Sequence, residues 1–327
     1  MVALGDLIGA YGGLSTQREE NMSRIHEALP KAERERNAGQ AENAMTLSVE
    51  VAPFRRVAEN SAAADAPEAL TRTGIVIPPP SSANLRFDAL VAHCRHSDWH
   101  PKRPANVFLN SAVGALGAEQ FRTLRSRLFQ IRGNQPTYTL LVTSSLPDEG
   151  KTFVTNNLAQ AILRQPHHRT LLIDADLRYP QLHLALGACP TPGLTDYLRG
   201  EADEITVLQK GDEDNLCFIP SGSRMPNPSE LLSNGRLKVL LDRLTPIFDW
   251  VILDSSPCLP VADATVLADL CDGVLLVVRA DSTPVEAAQK VCQQLQGKNI
   301  VGVVLNGAEQ NELYGSHYHD HRLSTVA

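Results

Sequence analysis

The chain lacks an excess of basic residues. Thirty Lys and Arg face 37 Asp and Glu, giving a formal net charge of −7. With a sequence pI of about 5.8, general nucleic-acid binding is excluded as a main role. The chain also lacks any CxxC pair. Its six cysteines, Cys94, Cys189, Cys217, Cys258, Cys271 and Cys292, are scattered, and most sit in apolar runs. They read as small core residues of a reducing compartment rather than as a disulfide or zinc framework. No apolar run reaches the roughly 18 to 20 residues needed to cross a bilayer. The opening residues MVALGDLIGA have no basic start, carry Asp6 inside the apolar part, and show no small-x-small cleavage site. A signal peptide is therefore rejected. What remains is a soluble, cytoplasmic protein that reaches a membrane only through a partner.

The 327 residues, 43% of them hydrophobic, suffice for one large domain or two modest ones. Residues 1–36 form an N-terminal segment. Within it, MSRIHEALPKAERER (22–36) predicts a short amphipathic helix with Ile25 and Leu29 on one face, kinked or broken at Pro30. Met22 before this charged helix looks like a natural start, so residues 1–21 are expected to derive from an upstream start codon. Residues 37–103 are rich in Ala, Pro, Ser and Asn, with PPPSSAN at 78–84, and predict a mostly disordered linker. His93, Cys94, His96 and His100 lie there at a spacing that fits no standard zinc pattern.

From about residue 104 to 307 the pattern changes. Apolar, β-branched-rich runs occur at 138–144, 169–175, 216–221, 250–255, 274–279 and 300–306. Continuous runs of this kind belong to strands buried on both faces. Helices lie between them. Asn227-Pro228-Ser229-Glu230 and Thr283-Pro284-Val285-Glu286 each offer a cap, a first-turn proline and a capping-box acid. The expected fold is α/β, a P-loop NTPase with a mostly parallel central sheet and helices on both faces, preceded by a largely disordered N-terminal region. Residues 308–327 predict a flexible tail containing Tyr314 and Tyr318.

The first apolar run feeds SLPDEGKT (145–152), and a helix follows with Val154, Leu158 and Ile162 on one face. Strand, loop and helix are the context a phosphate-binding loop requires. Its amides and the helix N-terminus hold phosphate oxygens, Lys151 reaches the β/γ-phosphates, and the Thr152 hydroxyl binds Mg²⁺. Ser145 stands where the loop normally opens with glycine, and Asp148 where glycine is common. With Glu149, Gly150, Lys151, Thr152 and Phe153, they make up the candidate ATP site. LLIDADLRYP (171–180) puts Asp174 and Asp176 at the end of the next strand, where open α/β sheets keep their active sites. VILDSSP (251–257) reads as a Walker B strand whose Asp254 holds Mg²⁺. Each acid alone reads as a turn residue; the three together, in this order, point to a nucleotide site.

Together these motifs resemble the bacterial tyrosine kinases (BY-kinases) of polysaccharide synthesis and export. GLTDYLRG (193–200), IPSGSRMPNPSELLSN (219–234), DATVLADLCDGVLLVVR (263–279) and GVVLNG (302–307) extend the resemblance over residues 104–318. Related septum-positioning and partitioning ATPases carry an extra lysine early in the loop; none lies between Thr143 and Gly150 here. In EQFRTLR (119–125), Glu119, Arg122 and Arg125 recur at helical spacing, and the family uses such a helix to join subunits into a ring.

The resemblance implies a mechanism. Mg-ATP sits on the loop and a tail tyrosine, Tyr314 or Tyr318, enters from a neighbouring subunit. Asp174 orients or deprotonates its hydroxyl, Asp176 and Asp254 hold the Mg²⁺ shell, Thr152 binds the ion, and Asn306 contacts adenine. It also implies a membrane adaptor of the chain-length-regulator type, a cognate tyrosine phosphatase, and a place at the inner membrane reached through the adaptor. The helix at 22–36 reads either as a docking element for that adaptor or as a solvated, fraying helix. Two tail tyrosines are fewer than the family's usual cluster. A regulatory ATPase of the same polysaccharide machinery, with little or no tyrosine phosphorylation, is the competing expectation. A DNA- or septum-positioning dimer is a third.

Overall fold

The six apolar runs all become strands. In chain order the strands are β1 Val2–Leu4, β2 Arg95–His96, β3 Thr139–Ser144, β4 Thr170–Asp174, β5 Gln209–Lys210, β6 Leu216–Ile219, β7 Trp250–Asp254, β8 Gly273–Arg279 and β9 Ile300–Asn306. The computed structural model describes residues 2–4, 86–109 and 114–308. The expected helix at 22–36 and both tail tyrosines lie outside the described residues. Among the described residues no helix is long and apolar enough to cross a membrane.

The strands form one nine-stranded sheet in the order β1-β9-β8-β3-β7-β4-β6-β5-β2. From β9 to β6 every neighbouring pair is parallel. β1 on β9 and β5 on β6 are antiparallel. Val2–Leu4 thus adds an edge strand from the segment set apart above as foreign to the native chain.

All positions of β3, β4, β6 and β7 are buried. Alternate side chains feed two apolar layers, as the two-residue period of a strand requires. Leu141, Ile173, Val251 and Leu253 enter one layer; Leu140, Val142, Leu172, Trp250 and Ile252 enter the other. The helices covering these faces are α1 Phe87–His93, α2 Gly114–Asn134, α3 Lys151–Leu163, α4 Leu182–Leu186, α5 Leu194–Arg199, α6 Glu204–Val207, α7 Pro228–Leu232, α8 Arg236–Leu244, α9 Asp263–Ala268 and α10 Val285–Gln294. The chain leaves β3, passes through α3 and returns as β4, with β7 lying between the two strands. The C-terminal ends of β3, β7 and β4 therefore open side by side.

The expected linker boundary at residue 103 is corrected. Residues 86–109 carry α1, β2 and two 3₁₀ turns, Arg103–Ala105 and Val107–Leu109. Leu90 and Trp99 are buried. Phe87 packs edge-on to Phe248 at 5.6 Å, and Trp99 to Phe218 at 6.1 Å. Asn156 and Asn157 of α3 donate their side-chain amides to the Ala105 carbonyl at 2.8 and 3.0 Å. Phe87, Leu90, Val91 and Cys94 do have helical spacing, but the Pro- and Ser-rich composition upstream hid a single apolar face. His93 and His96 bond the Ala89 and Val91 carbonyls, and neither they nor Cys94 and His100 join a group of three or more metal ligands among the described residues.

Two capping expectations also fail. Neither Asn227 nor Thr283 makes a side-chain cap bond, although Pro228 does open α7. The extended residue before α10 is Pro284, which pushes Thr283 out of the cap position. The Thr283 hydroxyl is used elsewhere.

Candidate active site

The loop after β3 closes without its opening glycine. Ser145 is buried in that place. Its N–H and that of Leu146 donate to Glu149 Oε2 at 2.6 and 3.0 Å. The loop's own carboxylate thus satisfies two amides that would otherwise be orphaned. Asp148 takes the left-handed conformation with φ 62°, a region asparagine and aspartate tolerate best among side-chain-bearing residues. Arg279 Nη1 donates to the Asp148 carbonyl at 2.9 Å, and Asn306 Nδ2 to the Glu149 carbonyl at 2.9 Å. Gly150 has φ 91°, and a Cβ there would lie 2.0 Å from Asn306 Nδ2. Glycine is favoured here by conformation, and any side chain would displace the Asn306 amide from the Glu149 carbonyl.

Lys151 opens α3 and places Nζ 3.0 Å from Asp176 Oδ2. Burial alone would lower its pKa, but Asp254, Asp176 and Asp174 outweigh it, and the ammonium is held above its ordinary value. One turn of register brings the acids together, because Asp174 of β4 is the partner of Asp254 of β7 across the parallel ladder. Thr152 Oγ1 donates to Asp254 Oδ2 at 2.6 Å, and Thr155 Oγ1 reaches Oδ1 at 3.3 Å. Asp176 Oδ1 accepts the N–H groups of Arg178 and Tyr179 at 3.3 and 3.0 Å.

Asp174, Asp176 and Asp254 are all buried. Burial first, then Asp254 and Asp176, push Asp174 well above the usual carboxylate range. Its Oδ2 accepts the Leu182 N–H at 3.1 Å, while Oδ1 is buried with no hydrogen-bond partner. Burial also pushes Asp254 up to about 6, although Lys151 and the Thr152 and Thr155 hydroxyls pull it down. One ammonium therefore faces three carboxylates, and one of their oxygens is unsatisfied. That excess of negative charge fits a divalent cation, and the left-handed Gly150 with the first turn of α3 fits a phosphate. Such crowding of buried acids, with Asp174 and Asp254 both shifted upward, is the mark of a functional site rather than of a stability device.

The remaining expected residues fall elsewhere. Phe153 packs its ring edge-on to Phe121 at 5.9 Å, so it braces α3 against α2. Asn306 spends its amide on the loop backbone. On α2, Glu119 and Arg122 pair at 2.8 Å with both side chains exposed. Arg125 turns inward and donates to the Ala161 carbonyl at 2.8 Å. The expected stripe is thus two surface residues and one that ties α2 to α3.

Three groups escaped the sequence reading: Thr155, Thr283 and the Arg178–Asp263 pair. Arg178 Nε donates to Asp263 Oδ2 at 2.7 Å, and Asp263 also accepts from Ser229 and Ser256. Burial would raise the Asp263 carboxyl, but the Arg178 and Ser229 bonds prevail and lower it. This pair joins the loop after Asp176 to the start of α9. The run DLR followed far downstream by DAT carries no local sign of the bond.

No family model matches the chain. The chain is 35% identical over 204 residues to the tyrosine-protein kinase YwqD of Bacillus subtilis (strain 168), covering 62% of this chain and 86% of that protein. It is 33% identical over 201 residues to the succinoglycan biosynthesis transport protein ExoP of Rhizobium meliloti (strain 1021), covering 60% of this chain and only 25% of that one. Among solved structures, the kinase domain of the Escherichia coli tyrosine kinase Etk matches with a TM-score of 0.55 and 34% identity, over 59% of this chain and 78% of that one.

Proposed function

The chain belongs to the bacterial tyrosine kinases, and from that premise we propose that it is an ATP-dependent protein-tyrosine autokinase of exopolysaccharide or capsule synthesis and export. The observation that carries the reading is Lys151 at the start of α3, held among Asp174, Asp176 and Asp254 at the ends of two neighbouring strands. YwqD and the Etk domain are named as tyrosine kinases, and ExoP as a polysaccharide transport protein. None of them supports the competing reading of a regulatory ATPase without tyrosine phosphorylation.

In this reading ATP binds with its phosphates on the loop from Asp148 to Thr152. Thr152, Asp176 and Asp254 would hold Mg²⁺, which when bound neutralises phosphate charge. Lys151, now paired with Asp176, turns to the β- and γ-phosphates. Asp174, once ionised, accepts the proton of the incoming tyrosine hydroxyl, for which burial and the neighbouring acids raise its affinity. No covalent enzyme intermediate is needed, since positioning and charge neutralisation suffice. The acceptors are Tyr314 and Tyr318 of a neighbouring copy. The exposed Glu119–Arg122 pair contributes to the contact between copies that brings them in. A membrane adaptor of the chain-length-regulator type places the chain at the inner membrane, and a tyrosine phosphatase reverses its phosphorylation.

The test is transfer of labelled γ-phosphate from ATP to the chain, with Mg²⁺ and with excess chelator, followed by phosphoamino-acid analysis. Phosphotyrosine formed only with the metal is expected. Free phosphate released with no phosphotyrosine would assign the chain to a regulatory ATPase instead.

A further inference from the structure

Glu149 is a buried carboxylate that the reaction as described does not use. It is 3% exposed, and no salt bridge to it occurs among the described residues. Hydrogen bonds alone meet its charge. The Ser145 and Leu146 N–H groups donate to Oε2 at 2.6 and 3.0 Å, and the Thr283 hydroxyl donates to Oε1. Thr283 has a single hydroxyl proton. The Arg279 N–H donates to the same oxygen at 3.0 Å, so a lone pair faces Arg279 and the proton is directed at Glu149. Arg279 and Asn306, at the ends of β8 and β9, also bond the loop backbone at Asp148 and Glu149. The turn after β8 therefore grips the phosphate loop through an internal anion.

We propose that Thr283 is a positioning residue for nucleotide binding, holding Glu149 as an internal anchor of the phosphate loop. The inference rests on the nucleotide-site reading above. The anchor uses the first two amides of the loop and leaves those nearer α3 for phosphate. Without Thr283, Glu149 keeps one buried oxygen unsatisfied and can swing toward incoming phosphates, which its charge repels. The loss falls on nucleotide affinity and spares the transfer step, because the Thr283 side chain bonds Arg279 and Glu149 and none of Lys151, Asp174, Asp176 or Asp254.

The experiment measures Mg-ADP binding by calorimetry for the full-length wild type, Thr283→Val and Thr283→Ser, with a thermal melt of each. Valine keeps the shape and removes the proton; serine keeps the proton. The expected result is binding weakened about tenfold or more in Thr283→Val, since a buried hydrogen bond to a charged group is lost, and restored to within about twofold in Thr283→Ser. The KM for ATP in Thr283→Val should rise by the same factor while kcat stays within about threefold of wild type. Equal binding by wild type and Thr283→Val would overturn the anchor and leave the site reading standing. Equal loss in both variants, with lowered melting temperatures, would also overturn it by reducing Thr283 to a packing role. No binding by the wild type would overturn the nucleotide-site reading, and the anchor with it.

Discussion

The two ends of the sheet treat carboxylates in opposite ways. At the N-terminal ends of the strands, Asp272 accepts the N–H groups of Tyr138 and Thr139, both at 2.8 Å. Asp249 accepts the Arg169 N–H at 2.8 Å, beside Arg132, whose guanidinium lies 4.6 Å from the Tyr138 ring centre. Each acid there is given a backbone donor or two. At the C-terminal ends, Asp174 and Asp254 are register partners, Asp176 stands beside them, and Asp174 Oδ1 has no hydrogen-bond partner. The first arrangement locks turns. The second costs stability and holds charge ready for a ligand, which is how functional sites differ from the scaffold that carries them.

The comparison can be broken most sharply at Lys151. Lys151→Met leaves three buried acids without their ammonium, and phosphotyrosine formation is expected to fall by about a thousandfold or more; quantitative phosphotyrosine blotting checks it. Next comes Asp254→Asn, with an expected loss of about a hundredfold in phosphorylation rate, since a metal-shell carboxylate is gone.

The same residue carries the pH dependence. A carboxyl raised from 3.8 to about 6 on folding binds a proton that the unfolded chain has already lost between those pH values. Its contribution to stability therefore falls as pH rises through that window. Without ligand, Asp254→Asn should melt higher than wild type above pH 6 and lose that advantage near pH 4, as calorimetric scans at both would show. Mg-nucleotide affinity of the wild type should rise across the same interval.

Gly150→Ala tests the loop itself. The added Cβ meets Asn306 Nδ2 at 2.0 Å with φ at 91°, so a loss of about 1 to 3 kcal/mol in chemical denaturation is expected. The smallest effect is predicted at the other end. Asp272→Ala should cost about 1 to 2 kcal/mol for its two lost bonds and leave the activity per folded molecule unchanged. Lost activity there would erase the distinction between the two ends.

Much of the site was legible because its signals are local. Each buried strand is one unbroken apolar run, and the acids sit where such a run stops, as in LLIDADLR and VILDSSP. What escaped depends on pairs distant in sequence. Thr283 is 134 residues from Glu149 and Arg178 is 85 from Asp263; no window contains both partners. Helix α1 was hidden by the composition of its neighbours, and the two-residue strands β2 and β5 exist only through pairing, β5 with β6 and β2 with β5. Phe153 and Arg125 show a third limit. Helical spacing places a side chain on a stripe, and only packing decides whether that stripe meets solvent or another helix.

The most direct test of the account is transfer between subunits. Lys151→Met serves as acceptor and a Tyr314→Phe/Tyr318→Phe double variant as catalyst, mixed with Mg-ATP and the adaptor's cytoplasmic segment, and phosphotyrosine is mapped by mass spectrometry. The account predicts phosphate on Tyr314 or Tyr318 of the Lys151→Met chain, formed only when the double variant is present. Phosphotyrosine on Lys151→Met alone, or none in the mixture, would contradict it.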